Sequence, residues 1–330
     1  MATVTTKPQG AATKKRAVRV GQADLEDTGA RLETVDPSNL QAKPDRSASD
    51  YTSEHWAELD RLGLLGNIAE LEAHGLTVIP PDKVAEPAFI TRLRDAVVRV
   101  TAARTGETVD VAGTTEAVYG GGFGRQMFYL LFEDDVFQEA VLNPAALAMA
   151  TYLLGESCIM SNCLAGLKGP GGGDLPMHCD NVMIPAPFPP YAQVCNVTWA
   201  LTDYGPGTGE LQYVPGSHRF GRHPALGEAH DDLVPVHAAA GSIIFWHGNT
   251  WHAALARTDP GLRINLIVAM MRPYLRPQEA YKENVTAEIL AKNPPRFATL
   301  VGQGHNYSWK QEGPKPIPGS YLPGLIHQFD

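Results

Sequence analysis

The chain has 330 residues, of which 44% are hydrophobic and 19% charged, and its formal net charge is -9. This acidic balance argues against a broad phosphate-binding surface, so we expect no nucleic-acid partner. The length suits one large domain, and the 32 glycines and 26 prolines favour a loop-rich β protein over a helical bundle.

Cysteine usage and hydropathy indicate the compartment. None of the cysteines belongs to a CxxC pair or has zinc-ribbon spacing, so we expect reduced core side chains and a cytoplasmic protein. They are Cys158, Cys163, Cys179 and Cys195. No apolar run approaches the roughly 20 residues that cross a bilayer, and no membrane partner is expected. Residues 1–50 are predicted to form a disordered or draping tail.

Helical patterns dominate the first half of the chain. Apolar residues at three-residue spacing predict one or two helices over 53–74, with Gly75 just after the helix end. A short strand is predicted over 76–79, and another helix near 86–104. Asn143-Pro144 combines an N-cap with a proline at the first helical position, which predicts a further helix.

From residue 156 onward, β-branched and aromatic runs alternate with Gly- and Pro-rich turns. The predicted strands cover 158–167, 193–202, 210–214, 233–236, 242–246 and 263–271. Strands and helices do not alternate here, so the predicted fold is mainly β with helical support (α+β), a jelly-roll or cupin-type barrel. We expect one domain over 51–330, with helical support at 51–155, the barrel at 156–273 and a C-terminal extension or lid at 274–330.

The sequence Met177-His178-Cys179-Asp180 carries two side chains that can bind a metal. At positions i and i+2 they share one face of a strand, although such a pair alone also occurs as a polar strand end. His252, at the far end of a strand and turn, is a third candidate. Two imidazoles and one carboxylate bind one face of an octahedral Fe(II) and leave its other positions open.

Arg263 opens an otherwise apolar strand eleven residues after His252. Burying a guanidinium is costly unless it meets an anion, and its planar fork suits a carboxylate. A 2-oxo acid that chelates the metal could place its distal carboxylate on Arg263, which leaves one metal position for O2.

These residues belong to a longer ordered set of motifs. The set begins with a glycine followed by a hydrophobic strand at 75–79. It continues with Lys168-Gly169-Pro170, His178-Cys179-Asp180, the Trp-Ala-Leu-Thr-Asp run at 199–203, Gly209-Glu210-Leu211, the Val-Pro-Gly-Ser-His run at 214–218, the Gly-Ser-Ile-Ile-Phe run at 241–245, His252 and Arg263. With this set, the chain resembles the phytanoyl-CoA dioxygenase family of Fe(II)/2-oxoglutarate oxygenases from about residue 62 to residue 273. The resemblance implies a double-stranded β-helix, with Fe(II) on His178, Asp180 and His252 and 2-oxoglutarate on Arg263. It also implies an enzyme that uses O2, decarboxylates 2-oxoglutarate to succinate and hydroxylates or otherwise oxidises an aliphatic C–H bond of a small molecule.

Two positions bear on the comparison with that family. Many members have Ser or Thr two residues after the distal His, where it helps to hold the cosubstrate, and this chain has Ala254. Asn196 and Thr198, on one face of their strand, are candidates to compensate, while Lys168 is a candidate for a cosubstrate contact or for the surface. Halogenating relatives have a small residue where this chain has Asp180, so oxidation without halogenation is favoured.

Further residues have interpretations that do not involve the metal. Trp199 and Trp246 are predicted to be core aromatics, and Cys179 to point away from the candidate ligands beside it. Arg125 is a candidate for the substrate mouth or for a solvated surface. The Pro-rich stretch 313–324 is a candidate lid or oligomer contact.

Two other classes of function remain open on the sequence alone. One is a cupin-like protein that binds a metal without oxygenase activity, and the other is a non-oxidative, metal-dependent isomerase or lyase on the same barrel. Arg263 argues against the second class, because that chemistry has no use for a buried carboxylate anchor. The substrate also stays open among acyl-CoA thioesters, amino acids, compatible solutes and secondary metabolites, as does a homo-oligomeric state.

Overall fold

The computed structural model describes residues 53–114, 119, 122–181 and 184–303. The predicted tail at 1–50 and the Pro-rich stretch at 313–324 lie outside the described residues. Within the described part of the chain, no helix combines the length and the apolar character needed to cross a membrane.

Helices cover one side of the molecule. Their bounds are α1 Ser53–Arg61, α2 Leu65–His74, α3 Pro87–Thr105, α4 Asp135–Val141, α5 Pro144–Leu154, α6 Tyr281–Asn284, α7 Ala287–Lys292 and α8 Pro295–Leu300. The predicted capping chemistry is confirmed at two of them. Gly75 adopts φ 84° and its N–H donates to Leu71 O at 2.7 Å, which ends α2. Asn143 Oδ1 accepts the Ala146 N–H at 3.1 Å, which begins α5.

The strands follow the predicted order. Their bounds are β1 Leu76–Ile79, β2 Arg125–Met127, β3 Ile159–Lys168, β4 Leu175–His178, β5 Val194–Ala200, β6 Leu211–Tyr213, β7 Val234–Pro235, β8 Ile243–His247, β9 His252–Ala254 and β10 Arg263–Met271. The six strands predicted after residue 156 are confirmed to within two residues at each end. The sequence did not predict β2, which is only three residues long, and His252 was placed at the end of a turn and not on β9. An extended segment was predicted at His178, but the bounds of β4 were not.

The strands form two antiparallel sheets, in the orders β1-β8-β5-β10-β3-β2 and β4-β9-β6-β7. Together the two sheets form a double-stranded β-helix, which confirms the predicted fold class. A doubly wound parallel arrangement is excluded, since every named strand pair is antiparallel.

Side chains of the larger sheet alternate between two environments, as the two-residue period of a strand requires. On β10, Leu266 and Val268 belong to the main hydrophobic core beneath the helices. Arg263, Asn265 and Ile267 instead line the barrel cavity. The helices therefore cover the outer face of this sheet, and the inner face is left for the site.

Candidate metal and cosubstrate site

His178 and His252 face each other across neighbouring strands. His178 ends β4 and His252 begins β9, the register pairs them directly, and their ring centroids lie 4.2 Å apart. His178 Nδ1 donates to the Pro176 carbonyl at 2.8 Å, and His252 Nδ1 donates to the Thr250 carbonyl at 2.9 Å. Because a carbonyl only accepts, both Nδ1 atoms carry the proton, and the neutral imidazole in this tautomer offers the lone pair of Nε2 to a metal.

Asp180 completes the set of potential ligands. Its Oδ1 lies 3.9 Å from His178 Nε2 and 3.8 Å from His252 Nε2, separations that one cation with ligand bonds of about 2.0–2.2 Å can bridge. All three ligand atoms lie within 4.8 Å of one another. The Asp180 backbone N–H donates to Gly248 O at 2.9 Å, which fixes the loop that carries the carboxylate.

The second carboxylate oxygen of Asp180 is held by two buried donors. Oδ2 accepts Asn196 Nδ2 at 2.5 Å and the Trp246 indole N–H at 2.8 Å. Both donors lie on the inner face of the large sheet, where Asn196 of β5 is paired with Trp246 of β8. Oδ2 is thus occupied, and Oδ1 alone is turned towards the two imidazoles.

The protonation state of His252 suits a metal ligand. Burial lowers its pKa below the ordinary value, against the opposing effect of the Asp180 charge. The imidazole is therefore neutral at physiological pH, as binding of a metal through Nε2 requires.

Arg263 places a buried guanidinium on the inner wall of the same cavity. One terminal nitrogen donates to the Gly209 carbonyl, and Cζ lies 4.7 Å from the centroid of the Tyr204 ring. Its Nε has no hydrogen-bond partner among the described residues, and neither does the hydroxyl of Thr198, which also lines the cavity. Buried donors without acceptors are costly, so both groups fit a site that receives a carboxylate.

Lys168 lies on β3 directly opposite Arg263 on β10 and is fully buried. Its Nζ donates to the Gly122 carbonyl at 3.0 Å. Burial, together with the nearby Arg263 charge, lowers the pKa of Lys168 to about 8. Paired residues on neighbouring strands share one face of the sheet, so Lys168 lies beside Arg263 and not on the surface, although it does not itself line the cavity.

The candidate ligands, Arg263, Asn196 and Thr198 all line one cavity of about 620 Å³. Ala254 lines it too, so no hydroxyl is available at that position. The prediction that Cys179 points away is confirmed, since its side chain packs in a separate cluster with Phe188 and Trp251.

Three residues that place polar groups in the cavity were not identified from the sequence. Trp246, predicted as a core aromatic, is indeed buried in the barrel but also donates to Asp180. Tyr204 lies against Arg263, and its hydroxyl accepts Asn265 Nδ2 at 2.7 Å. The alternation of inward residues on β10 could have identified Asn265, because it follows Arg263 by two positions. No local pattern identifies Trp246 or Tyr204.

Arg125 fits neither of the two interpretations left open for it, since its side chain is only 19% exposed. Its guanidinium pairs with Glu107 at 3.1 Å and lies 5.1 Å from the Tyr119 ring centroid. It does not line the cavity, so Arg125 is not part of the substrate mouth.

The fold and the site together define a double-stranded β-helix with two histidines and one aspartate poised for a metal. Residues 71–264 match the family model described as phytanoyl-CoA dioxygenase (PhyH). This match covers more than half of the chain, and the chain belongs to that family.

Individual relatives agree with the assignment. The chain is 30% identical over 183 residues to "Dioxygenase af480" of Aspergillus fumigatus, which covers 54% of this chain and 59% of that protein. It is 29% identical over 145 residues to "Dioxygenase FrzG" of Cladobotryum sp, covering 40% of this chain and 47% of that protein. The chain thus spans about half the length of the curated relatives it matches.

Solved structures show the same fold. The crystal structure of EctD from S. alaskensis in its apoform has a TM-score of 0.54 at 19% identity, covering 72% of this chain and 84% of that one. HygX from Streptomyces hygroscopicus, crystallised with nickel and 2-oxoglutarate bound, has a TM-score of 0.52 at 15% identity. That match covers 64% of this chain and 88% of HygX.

Proposed function

We propose that this protein is an Fe(II)- and 2-oxoglutarate-dependent dioxygenase that oxidises an aliphatic C–H bond of a small molecule. The observation that carries the proposal is a single cavity that combines three ligand atoms within 4.8 Å with a buried arginine whose Nε lacks a partner. Two further facts support it. Curated relatives are named dioxygenases, and HygX binds a metal and 2-oxoglutarate on the same fold.

In this proposal His178, Asp180 and His252 hold the iron through Nε2, Oδ1 and Nε2. Arg263 and Thr198 would donate to the distal carboxylate of 2-oxoglutarate, and Lys168 would add positive charge beside Arg263. Asn196 orients Asp180 through their hydrogen bond. When bound, iron and 2-oxoglutarate would supply with O2 the oxidising chemistry, in which 2-oxoglutarate loses CO2 to give succinate as the substrate C–H bond is oxidised.

The chain's own residues position these groups and protect the site. The two Nδ1–H bonds to carbonyls and the two bonds to Asp180 Oδ2 fix the directions of all three ligands before any metal arrives. Ile244 and Leu211, which line the cavity, give it apolar walls that exclude water. None of these residues needs to act as a general base.

The rival functions account for fewer of these features. A cupin-like protein that only binds a metal has no need for the unpartnered donors of Arg263 and Thr198. A non-oxidative isomerase or lyase has no need for them either. Halogenation is disfavoured because the Asp180 carboxylate occupies the position that a halide would need.

We also infer a single oxygenase domain over residues 51–330 and a cytoplasmic location. The helices and the large sheet share one hydrophobic core, which supports the first inference. All four cysteines are free and buried, which supports a reducing compartment.

The proposed reaction is tested by measuring succinate released from 2-oxoglutarate without added substrate. We expect slow release that requires both Fe(II) and O2 and that stops when a chelator removes the metal. Metal binding without any release of succinate would favour the cupin-like alternative. Turnover of a substrate that continues under anaerobic conditions would favour the isomerase or lyase.

A further inference from the structure

The cavity extends well beyond the space that the metal and cosubstrate need. Its volume of about 620 Å³ falls within the roughly 300–1,000 Å³ of sites for drug-sized ligands. A five-carbon diacid such as 2-oxoglutarate occupies only the part beside Arg263. A larger second molecule therefore fits between the metal ligands and the mouth.

The walls of this outer part are largely apolar. Phe123 and Phe128 line the mouth and are 53% and 42% exposed, so their rings are available to a bound molecule. Phe123 also makes an edge contact with His178, with ring centroids 6.4 Å apart, which places it beside a metal ligand. Ile184 and Leu275 line the same cavity. Exposed aromatic side chains around a cavity favour an apolar ligand.

One positive charge lies among these apolar residues. Among the described residues that line the cavity, Arg276 is the only Asp, Glu, Lys or Arg besides Asp180 and Arg263. Arg276 is exposed, and its guanidinium has no hydrogen bond, ion pair or ring contact within the described chain. Gln278, two residues later, uses Oε1 to accept Asn162 Nδ2 at 2.7 Å, which leaves its own amide N–H groups to donate.

The segment that carries these two donors is firmly anchored. Glu279 follows it directly and is only 1% exposed. The Glu279 carboxylate accepts the Tyr129 N–H at 2.9 Å and the Cys163 N–H at 3.1 Å, and its own backbone N–H donates to Ser161 O at 2.9 Å. A backbone anchored in this way does not have to be ordered on binding, so the segment holds Arg276 and Gln278 at the cavity and only their side chains become ordered.

We propose that the primary substrate is an apolar molecule with one carboxylate-type group, which Arg276 and Gln278 bind while its carbon skeleton lies against Phe123 and Phe128. This inference rests on the proposed function, because it assigns the substrate of the same site. A coenzyme A thioester carries several phosphate charges and calls for a cluster of cations. Among the described residues that line the cavity mouth, only Arg276 provides a cation without a partner. One cation suits the single charge of a free acid better than the several charges of a thioester of coenzyme A.

Calorimetric titration tests this assignment. The full chain, loaded anaerobically with Fe(II) and 2-oxoglutarate, is titrated with dodecanoic acid, its methyl ester and dodecanoyl-coenzyme A. We expect the acid to bind roughly fivefold more tightly than the ester, the upper end for an exposed charge contact. Arg276→Met should bring this ratio to about one without weakening the ester, and Arg276→Lys should retain part of it. Arg125→Met removes a cation that does not line the cavity and should leave the ratio unchanged.

The proposal is overturned if the ester or the thioester binds at least as tightly as the acid. It is equally overturned if Arg276→Met leaves the ratio intact, or if none of the three probes binds to protein that holds 2-oxoglutarate. Failure of the proposed function is recognised separately, because the iron-loaded protein would then fail to bind 2-oxoglutarate before any probe is added.

Discussion

Trp246 donates its indole N–H to Asp180 Oδ2 at 2.8 Å, from a strand that is separated from Asp180 by more than sixty residues of chain. Together with Asn196, it occupies the oxygen that faces away from the two imidazoles. A carboxylate held in this way presents Oδ1 to a metal without losing rotational freedom on binding. Such orienting partners commonly change metal affinity by about 10- to 100-fold.

Trp246→Phe should therefore weaken Fe(II) binding by about tenfold while the barrel stays folded, because the ring is kept and only the N–H donor is lost. Trp199→Phe is the matched control. Trp199 is equally buried in the adjacent strand, but its Nε1 has no hydrogen-bond partner within the described chain. Anaerobic metal titration checks both variants. Equal affinities in the two variants would show that the Trp246 bond does not orient Asp180.

The variant Thr198→Val tests cosubstrate binding independently of metal binding. The substitution keeps the shape of the side chain and removes a buried hydroxyl that has no partner among the described residues. We expect 2-oxoglutarate affinity to fall by roughly 10- to 100-fold, as for the loss of one hydrogen bond to a charged group, with Fe(II) affinity unchanged. Thr77→Val serves as the control, because Thr77 is buried but its hydroxyl bonds to Asn67 and Glu70 away from the cavity. Unchanged 2-oxoglutarate affinity in Thr198→Val would remove Thr198 from the site.

Strands with long apolar runs and helices with clear caps were predictable, because their signals are local. Arg263–Met271 was predicted with its observed bounds, and Asn143 and Gly75 mark helix ends as expected. The bounds of the short strands β2, β4 and β9 could not be predicted, because three or four residues carry too little periodicity. These strands form by pairing with partners that are distant in sequence.

The same distinction applies to the candidate site. Motif spacing identified the residues that the structure brings together around one cavity, because each motif is contiguous in sequence. The bond from Trp246 to Asp180 depends on the register that places Trp246 opposite Asn196. Nothing in either strand alone specifies that register. A tryptophan in an apolar strand therefore indicates burial, and only the assembled barrel reveals its partner.

Lys168 predicts a pH dependence for cosubstrate binding. Because burial lowers its pKa to about 8, the ammonium is charged below that pH and neutral above it. In the proposed complex its positive charge would support a dianion on Arg263, so 2-oxoglutarate affinity should decline as the pH rises through 8 and beyond. In Lys168→Met the affinity should be lower at pH 7 and nearly independent of pH between 7 and 9.5. A decline of the same size in wild type and variant would assign the titration to another group.

Glu279→Gln should destabilise the folded protein by about 1–3 kcal/mol, because the new amide group turns a donor towards the backbone N–H groups that the carboxylate now accepts. Chemical denaturation measures this change. Glu288→Gln, at an exposed position on α7, makes the same substitution without buried partners and should have little effect. Similar stabilities for the two variants would mean that Glu279 does not anchor the segment before it.

The central claim is that His178, Asp180 and His252 hold Fe(II) beside a 2-oxoglutarate bound to Arg263. Anaerobic visible spectroscopy of the reconstituted protein tests it most directly. Wild type should develop a weak metal-to-ligand band when 2-oxoglutarate is added to the iron-loaded chain. Asp180→Ala should abolish the band by loss of the metal, whereas Arg263→Met should retain the metal and require far more 2-oxoglutarate. A wild-type protein that shows no band, or an Asp180→Ala variant that keeps it, would contradict the account.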